Sequence, residues 1–365
     1  MSHQSLPHAA ELRIVCGRMG GGATASHILL VEDDEILAGV VQELLGELGE
    51  VHWTAQAEEA IARVSDQRYD LVVSDIQLPG MNGIDFVRTM SERQPDLATL
   101  ILSAAASFDS AVRALRAGAD DYMAKPVDPV ELLAKARELI QLTRERRAKN
   151  AQVVLAVGAH PDDVEIGVGG VLARHVSEGH EVTILTLSGG EQGGVVAERA
   201  DESIRAAEIL GCRLVHADLT DTSVSEGGET ITTIKRVIDE IHPQTVYTHT
   251  ARDVHQDHRN VHSATLVAAR GIPRVYCYQA PSTTVEFHPT RYVAIDEHLE
   301  RKMAAIAAFG SQTAVRAYLD PELLRATARY WARFTTARYV EPLEIIRESD
   351  VSAPTQATVQ VPVDV

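Results

Sequence analysis

Three cysteines in 365 residues, Cys16, Cys212 and Cys277, are too few and too far apart for a disulfide framework, and no CxxC spacing offers a thiolate metal site. No apolar run approaches the roughly 20 residues of a membrane span, and the N-terminus lacks the charged-then-apolar order of a signal peptide; a cytoplasmic location is expected. Bases are outnumbered as well, Lys plus Arg being 34 against 52 Asp plus Glu, for a formal net charge of −18. Such a balance opposes sequence-independent binding to nucleic acid or to an anionic membrane, both of which rest on Lys and Arg neutralising phosphates. No direct nucleic-acid partner and no membrane span are therefore expected.

What is present is ample apolar content, 45% of residues, in a chain longer than one hydrophobic core usually organises. Residues 1–26 show no periodicity and read as a disordered leader. From His27 onward, strand-like runs (HILLVE, LVVSD, TLILS, DYMAK) alternate with helix-like stretches, which argues for a parallel sheet with helices on both faces. A helical pattern over 129–150 ends in the polar run RERRAKN and marks the domain boundary. The alternation then resumes with QVVLAVGA, EVTILTLS, RLVHADL, TVYTHT, RVYCYQ and RYVAID. The expected fold is α/β with two consecutive domains, at 27–146 and 147–345, followed by a disordered tail over 346–365.

In an open parallel sheet, function collects at the carboxyl ends of the strands. Asp33 and Asp34 follow HILLVE, Asp75 ends LVVSD, Ser103 ends TLILS and Lys125 follows DYM. Three carboxylates gathered at one edge repel one another and call for a hard cation with oxygen ligands, for which Mg²⁺ is the natural choice. Asp75 is then a nucleophile beside a metal, with a lysine and a hydroxyl to receive phosphoryl oxygens. This constellation resembles the receiver domain of two-component response regulators, a flavodoxin-like fold, over about residues 27–146. The resemblance implies phosphorylation of Asp75 and Mg²⁺ on Asp34, Asp75 and the backbone of Gln77, with Asp33 assisting. It also implies a switch formed by Ser103, Tyr122 and Lys125, a Lys125–Pro126 bond of the commonly cis kind, and a sensor histidine kinase or phosphotransfer protein as partner. Receiver domains often pair, so a homodimer is the expected assembly.

In the second half, His160 follows the strand VVLAVGA, and Pro161 stiffens the turn so that His160 and Asp163 converge on one ion. Imidazole and carboxylate suit Zn²⁺. The loop HTARDVHQDHRN follows another strand on the same expected edge, and His258 is the chosen third ligand. Asp162 points away from its neighbour and is the candidate general base. His255 is placed to stabilise an oxyanion when protonated, with Asp257 or Asp253 orienting it and raising its pKa. The segment AHPDDVEIGVGG together with HQDH resembles the LmbE-like or PIG-L-like de-N-acetylases, Rossmann-like zinc enzymes that remove acetyl from N-acetylglucosaminyl groups. The resemblance covers about residues 151–340. It implies zinc on His160, Asp163 and His258, base duty for Asp162, and oxyanion or acid duty for His255 with Asp257 behind it.

Weaker signals surround this set. LTLSGGEQGG, residues 185–194, resembles the family's Gly-rich loop and is expected as a rim of the site. Arg199 and Asp221 match positions where family members contact the sugar. His262 and His249 are expected to be structural. The sequence thus points to a response regulator whose output is zinc-dependent hydrolysis of an N-acetyl group on an N-acetylglucosamine-type sugar or glycoconjugate. Its rivals are a phospho-switched interaction module with a non-catalytic second domain, and a zinc amidohydrolase of another amide.

Overall fold

A computed structural model of the chain describes residues 12–16, 26–66, 68–104 and 108–349. It divides into two compact units, Gly21–Ala151 and Gln152–Val365, the second also claiming Met1–Gly20.

The first element is unexpected. Strand β1 (Leu12–Cys16) pairs antiparallel with a strand of the second unit, Leu12 opposite Ala217 and Ile14 opposite Val215. The leader expected over 1–26 is thereby corrected at 12–16, and its remaining residues to 25 lie outside the described ones. The partner strand lies some two hundred residues along the chain, a non-local pairing that local periodicity does not register.

The unit Gly21–Ala151 follows as β2 (Ser26–Val31), α1 (Glu35–Leu45), β3 (Gly49–Thr54), α2 (Ala57–Asp66), β4 (Leu71–Asp75), α3 (Gly83–Arg93), β5 (Thr99–Ser103), α4 (Phe108–Ala117), β6 (Asp121–Ala124) and α5 (Pro129–Asn150). The sheet is all parallel in the order β3-β2-β4-β5-β6. The central strands β4 and β5 are buried at every position, which is why LVVSD and TLILS read as apolar runs rather than alternations. Strand β3 is an edge strand with a mixed, half-exposed sequence, GEVHWT, and the hydrophobic reading passes over it and the helix after it. Helix α5 starts on Asp128, whose carboxylate accepts from Glu131 N, with Pro129 in its first turn. It buries Leu132, Ala136, Leu139 and Ile140 against this sheet's core.

The second unit contains β7 (Val153–Gly158), α6 (Asp163–Ser177), β8 (Glu181–Ser188), α7 (Val196–Leu210), β9 (Arg213–Leu219), α8 (Gly228–Ile241), β10 (Thr245–His249), α9 (Gln256–Ala268), β11 (Arg274–Tyr278), β12 (Arg291–Ala294), α10 (Leu299–Ala307), α11 (Gly310–Thr313), α12 (Pro321–Trp331) and β13 (Val340–Glu348). The sheet order is β1-β9-β8-β7-β10-β11-β13-β12, with β9 through β11 parallel and both margins antiparallel. The order of strand addition reverses between β7 and β10, because β8 and β9 build outward on one side before the chain crosses over to β10. The expected tail is shortened here. β13 runs to Glu348, its first four residues buried, while 350–365 lie outside the described residues.

Candidate functional sites

In each sheet the chemistry-bearing loops leave the strands that flank the point where strand order reverses, the position at which open α/β sheets open a crevice. In the first unit those strands are β2 and β4. Glu32, Asp33 and Asp75 bring one ligand oxygen each to within 4.8 Å of one another. Lys125 closes the group, its Nζ donating to Asp75 Oδ2 at 2.6 Å and to Glu32 Oε2 at 2.8 Å. Burial pushes the Glu32 carboxyl above its ordinary pKa despite the lysine. The lysine is buried too, yet its two carboxylate partners hold its pKa above the usual value.

The acidic pair is therefore shifted by one residue from the sequence reading. Asp34 does not join the cluster; it is the N-cap of α1, its Oδ1 accepting from Ile36 N at 2.9 Å and Leu37 N at 3.1 Å. Glu32, at the end of the expected strand HILLVE, takes its place. Its signal was the strand's own end: β2 stops at Val31, so Glu32 is the first side chain beyond the sheet. Gln77 N donates to Asp75 Oδ1 at 3.1 Å. Ser103 is buried at the end of β5, beside the β6 residue that precedes Lys125. Tyr122 is half-buried in a cluster with Ile84, Val87 and Ile101, and the Lys125–Pro126 bond is cis.

In the second unit the loops after β7 and β10 meet. His160 Nδ1 lies 3.3 Å from Asp163 Oδ2, and His258 Nε2 lies 3.3 Å from Asp163 Oδ1. The three residues chosen from sequence thus form one of the groups able to hold a metal ion. They line a cavity of about 370 Å³ together with Asp162, His255 and Arg199. Tyr278, whose hydroxyl donates to Val157 O at 2.8 Å, packs so closely on α6 that a Cβ on Gly167 would meet its ring at 2.3 Å. Glycine there lets the helix carrying Asp163 approach the sheet.

The carboxylates around this trio do not all serve the partners expected of them. Asp257 turns its Oδ2 to His160 Nε2 at 3.2 Å and accepts from Thr222 N at 2.8 Å, so it orients His160, not His255. Asp221 adds a second contact to His160 Nε2 at 2.9 Å and accepts from Gln192 N. The expected sugar contact is thus engaged within the protein, tied to the Gly-rich rim. Asp253 belongs to His258, with Oδ2 3.1 Å from Nδ1. Arg199 is buried in the cavity wall: NH1 donates to Gly190 O at 3.0 Å, NH2 donates to Pro161 O at 2.5 Å, and NH2 also lies 3.5 Å from Asp162 Oδ2.

Electrostatics follow from this crowding. Burial disfavours the His160 imidazolium, but hydrogen bonds to Asp163, Asp221 and Asp257 outweigh it and push the ring up to about 12. His258 is likewise raised to about 9 against burial, by Asp163 and Asp253. Three carboxylates around one imidazole are an excess of negative charge that a divalent cation would neutralise, and the imidazole–carboxylate donor set fits zinc. Asp162 is raised to about 7, first by burial and then by the charge of Asp163. Its backbone is left-handed, φ 97°, an uncommon conformation for a residue with a side chain. His255 moves opposite to expectation: burial, then the nearby His258 and His160, lower its pKa. Its Nδ1 accepts from Asp257 N at 3.2 Å, which places the ring proton on Nε2.

His249 is fully buried, as expected of a structural residue, yet it touches the site. Its Nε2 accepts from Ala159 N at 3.1 Å and lies 3.2 Å from Asp163 Oδ2, and its ring stacks on His258. His262 holds His249 O through Nδ1 at 2.9 Å. Arg316 and Tyr318 also line the cavity. They come from a short segment after α11 that carries no motif, and only the fold brings them here.

Comparison with known proteins matches a family to each of the two units. The family model described as GlcNAc-PI de-N-acetylase (PIG-L) matches residues 155–269, and the response regulator receiver domain model matches residues 28–137. An uncharacterized deacetylase of Escherichia coli K12, YaiS, is 34% identical over 169 residues, covering 44% of this chain and 91% of the relative. The chain belongs to the PIG-L deacetylase family, fused to a receiver domain. For the receiver, the response regulator PhoP of Pseudomonas aeruginosa is 40% identical over 115 residues, 31% of this chain; the match spans about half of PhoP (51%). Among solved structures, the conserved protein TT1542 of Thermus thermophilus superposes with a TM-score of 0.49 at 26% identity, over 55% of this chain and 96% of that one. Transcriptional regulatory proteins stand among the relatives, and the expected lack of a nucleic-acid partner draws no support from them. No helix among the described residues is long and apolar enough to cross a membrane.

Proposed function

We propose that this chain is a response regulator whose output is a zinc-dependent N-deacetylase acting on an N-acetylglucosamine-type sugar or glycoconjugate, controlled by phosphorylation of Asp75. The observation that carries the reading is the convergence of His160, Asp163 and His258 with Asp162 at one cavity. Zinc held by the first three would supply Lewis-acid polarisation of the amide carbonyl and acidification of water. Asp162, with a pKa near neutrality, is suited to take a proton from the attacking water and return it to the leaving amine. His255 donates from Nε2 to the developing oxyanion as a neutral ring. Asp221 and Asp257 hold His160, Asp253 holds His258, and Arg199 anchors Pro161 and the Gly-rich rim. The acyl carbon–nitrogen bond breaks, and acetate and a free amine leave.

At the receiver, Glu32, Asp33 and Asp75 are suited to Mg²⁺, and Lys125 and Ser103 to the phosphoryl oxygens. The phosphoryl group comes from a histidine kinase or phosphotransfer protein. The testing experiment measures zinc content and acetate release from a panel of N-acetyl sugars, with His258→Ala as control, before and after treatment with phosphoramidate, with Asp75→Asn as a second control. A zinc content in His258→Ala equal to that of the wild type would overturn the metal assignment. Equal rates and assembly states in all phosphorylation samples would overturn the regulation.

A further inference from the structure

Helix α6 begins at the proposed catalytic centre and ends roughly 20 Å away, at the amino ends of the parallel strands, where a second group of ligating side chains gathers. His175 lies in its last turn, Glu178 is its C-cap, and His180 immediately precedes β8. The turn between them is fixed by the backbone: Gly179 takes the left-handed φ of 81°, Gly179 N donates to Val176 O, and His180 N donates to His175 O. This closure brings the two rings together, His175 Nδ1 lying 2.8 Å from His180 Nδ1. Glu178 Oε2 is 3.8 Å from the same nitrogen of His180. One ligand atom from each of the three residues falls within 4.8 Å of the others, and they border a cavity of about 250 Å³.

Two features favour an ion here. The far nitrogen of His175, Nε2, lies 2.9 Å from the Tyr247 hydroxyl; donation to that oxygen orients the ring and leaves the Nδ1 lone pair facing His180, as a ligating histidine requires. Two imidazole nitrogens this close share either the ring proton of one neutral imidazole or a metal ion between them. Arg174 Nε donates to Glu178 Oε1 at 2.8 Å and leaves the other oxygen directed at His180. A tetrahedral ion at about 2.0–2.1 Å from each nitrogen would part the rings by roughly half an ångström.

We propose that His175, Glu178 and His180 form a second, non-catalytic site for a borderline divalent ion such as Zn²⁺, at the opposite edge of the sheet from the deacetylase centre. Two imidazoles and one carboxylate match that ion's preferences. None of the three residues belongs to the catalytic cavity, so the two metal assignments stand or fall separately.

The test is zinc binding by the full chain in buffer containing Mg²⁺ to occupy the receiver. The wild type is expected to hold about two equivalents, His258→Ala about one, the His175→Ala/His180→Ala pair about one, and the combination essentially none. Wild-type stoichiometry in the His175/His180 pair overturns the second site. Should that pair fail to fold, Co²⁺ added to His258→Ala reads the remaining site directly. A ligand-field absorption saturating at about one equivalent supports the site, and its absence overturns it. One equivalent that survives His258→Ala but vanishes with the His175/His180 pair would leave this site standing and sink the catalytic one.

Discussion

Nδ1 of His258 lies 3.1 Å from Oδ2 of Asp253, which leaves Nε2 turned toward Asp163. Asp253 is itself held by Ser282 Oγ at 2.7 Å and by His255 N at 2.8 Å, so the ring that would bind metal is positioned by a fixed carboxylate. Replacing Asp253 by Asn is expected to weaken zinc affinity by about 10- to 100-fold, the usual cost of losing such a partner. Competition with a calibrated chelator measures it.

Asp162→Asn separates base from ligand. The metal set survives, so zinc content should remain at the wild-type value while kcat falls by about 10²- to 10⁴-fold. Parallel loss of zinc and turnover would refute this division of labour.

The metal-free protein should lose stability as pH rises above about 6.5, where the histidines that burial lowers, His175, His216 and His249 among them, are neutral in both folded and unfolded states. Asp162 is raised to about 7 and Glu165 to about 8, both chiefly by burial. The folded state therefore keeps protons that the unfolded chain releases near its ordinary carboxylate values. That stabilisation is complete below those values and disappears as pH climbs through about 7 and 8. His258, raised to about 9 by its carboxylates against burial, acts in the same direction. Asp221 and Asp253 act oppositely. Burial would raise them, but hydrogen bonds led by His160 and His258 lower each to about 2, and their contribution is lost as pH falls toward that value. Thermal melts of chelator-treated protein between about pH 6.5 and pH 9 should show a falling Tm, with a shallower fall in Asp162→Asn.

The receiver offers a test of the one-residue shift. Glu32→Gln should impair Mg²⁺-dependent phosphorylation of Asp75, whereas Asp34→Ala should spare it and cost about 0.5–2 kcal/mol of stability through the lost cap of α1. Phosphoryl incorporation from phosphoramidate and a urea melt distinguish the two outcomes.

The sequence made both parallel sheets legible because their strands are buried on both faces and read as apolar runs punctuated by helices. It was silent where structure depends on distant pairing. Leu12–Cys16 makes sense only beside Ala217, and the edge strand β3 looked polar because one margin faces solvent. At the site, motif spacing placed His160, Asp163 and His258 together, but not which carboxylate serves which imidazole. Asp253 lies on the loop before α9 and Asp257, four residues on, in the first turn of the helix, and only the turn between them sends them to His258 and His160 respectively. The exchange of Asp34 for Glu32 has a similar origin. Adjacent acids look alike in a string, whereas strand end and helix cap treat them differently.

The pairing of β1 with β9 makes the hydrolase portion discontinuous: a short piece lies before the receiver and the remainder after it. A fragment cut at Gln152 would shed the strand that shields β9 and leave a bare row of backbone donors and acceptors, an invitation to self-association. Trimming this chain down to its hydrolytic half therefore calls for residues 12–16 to be grafted back.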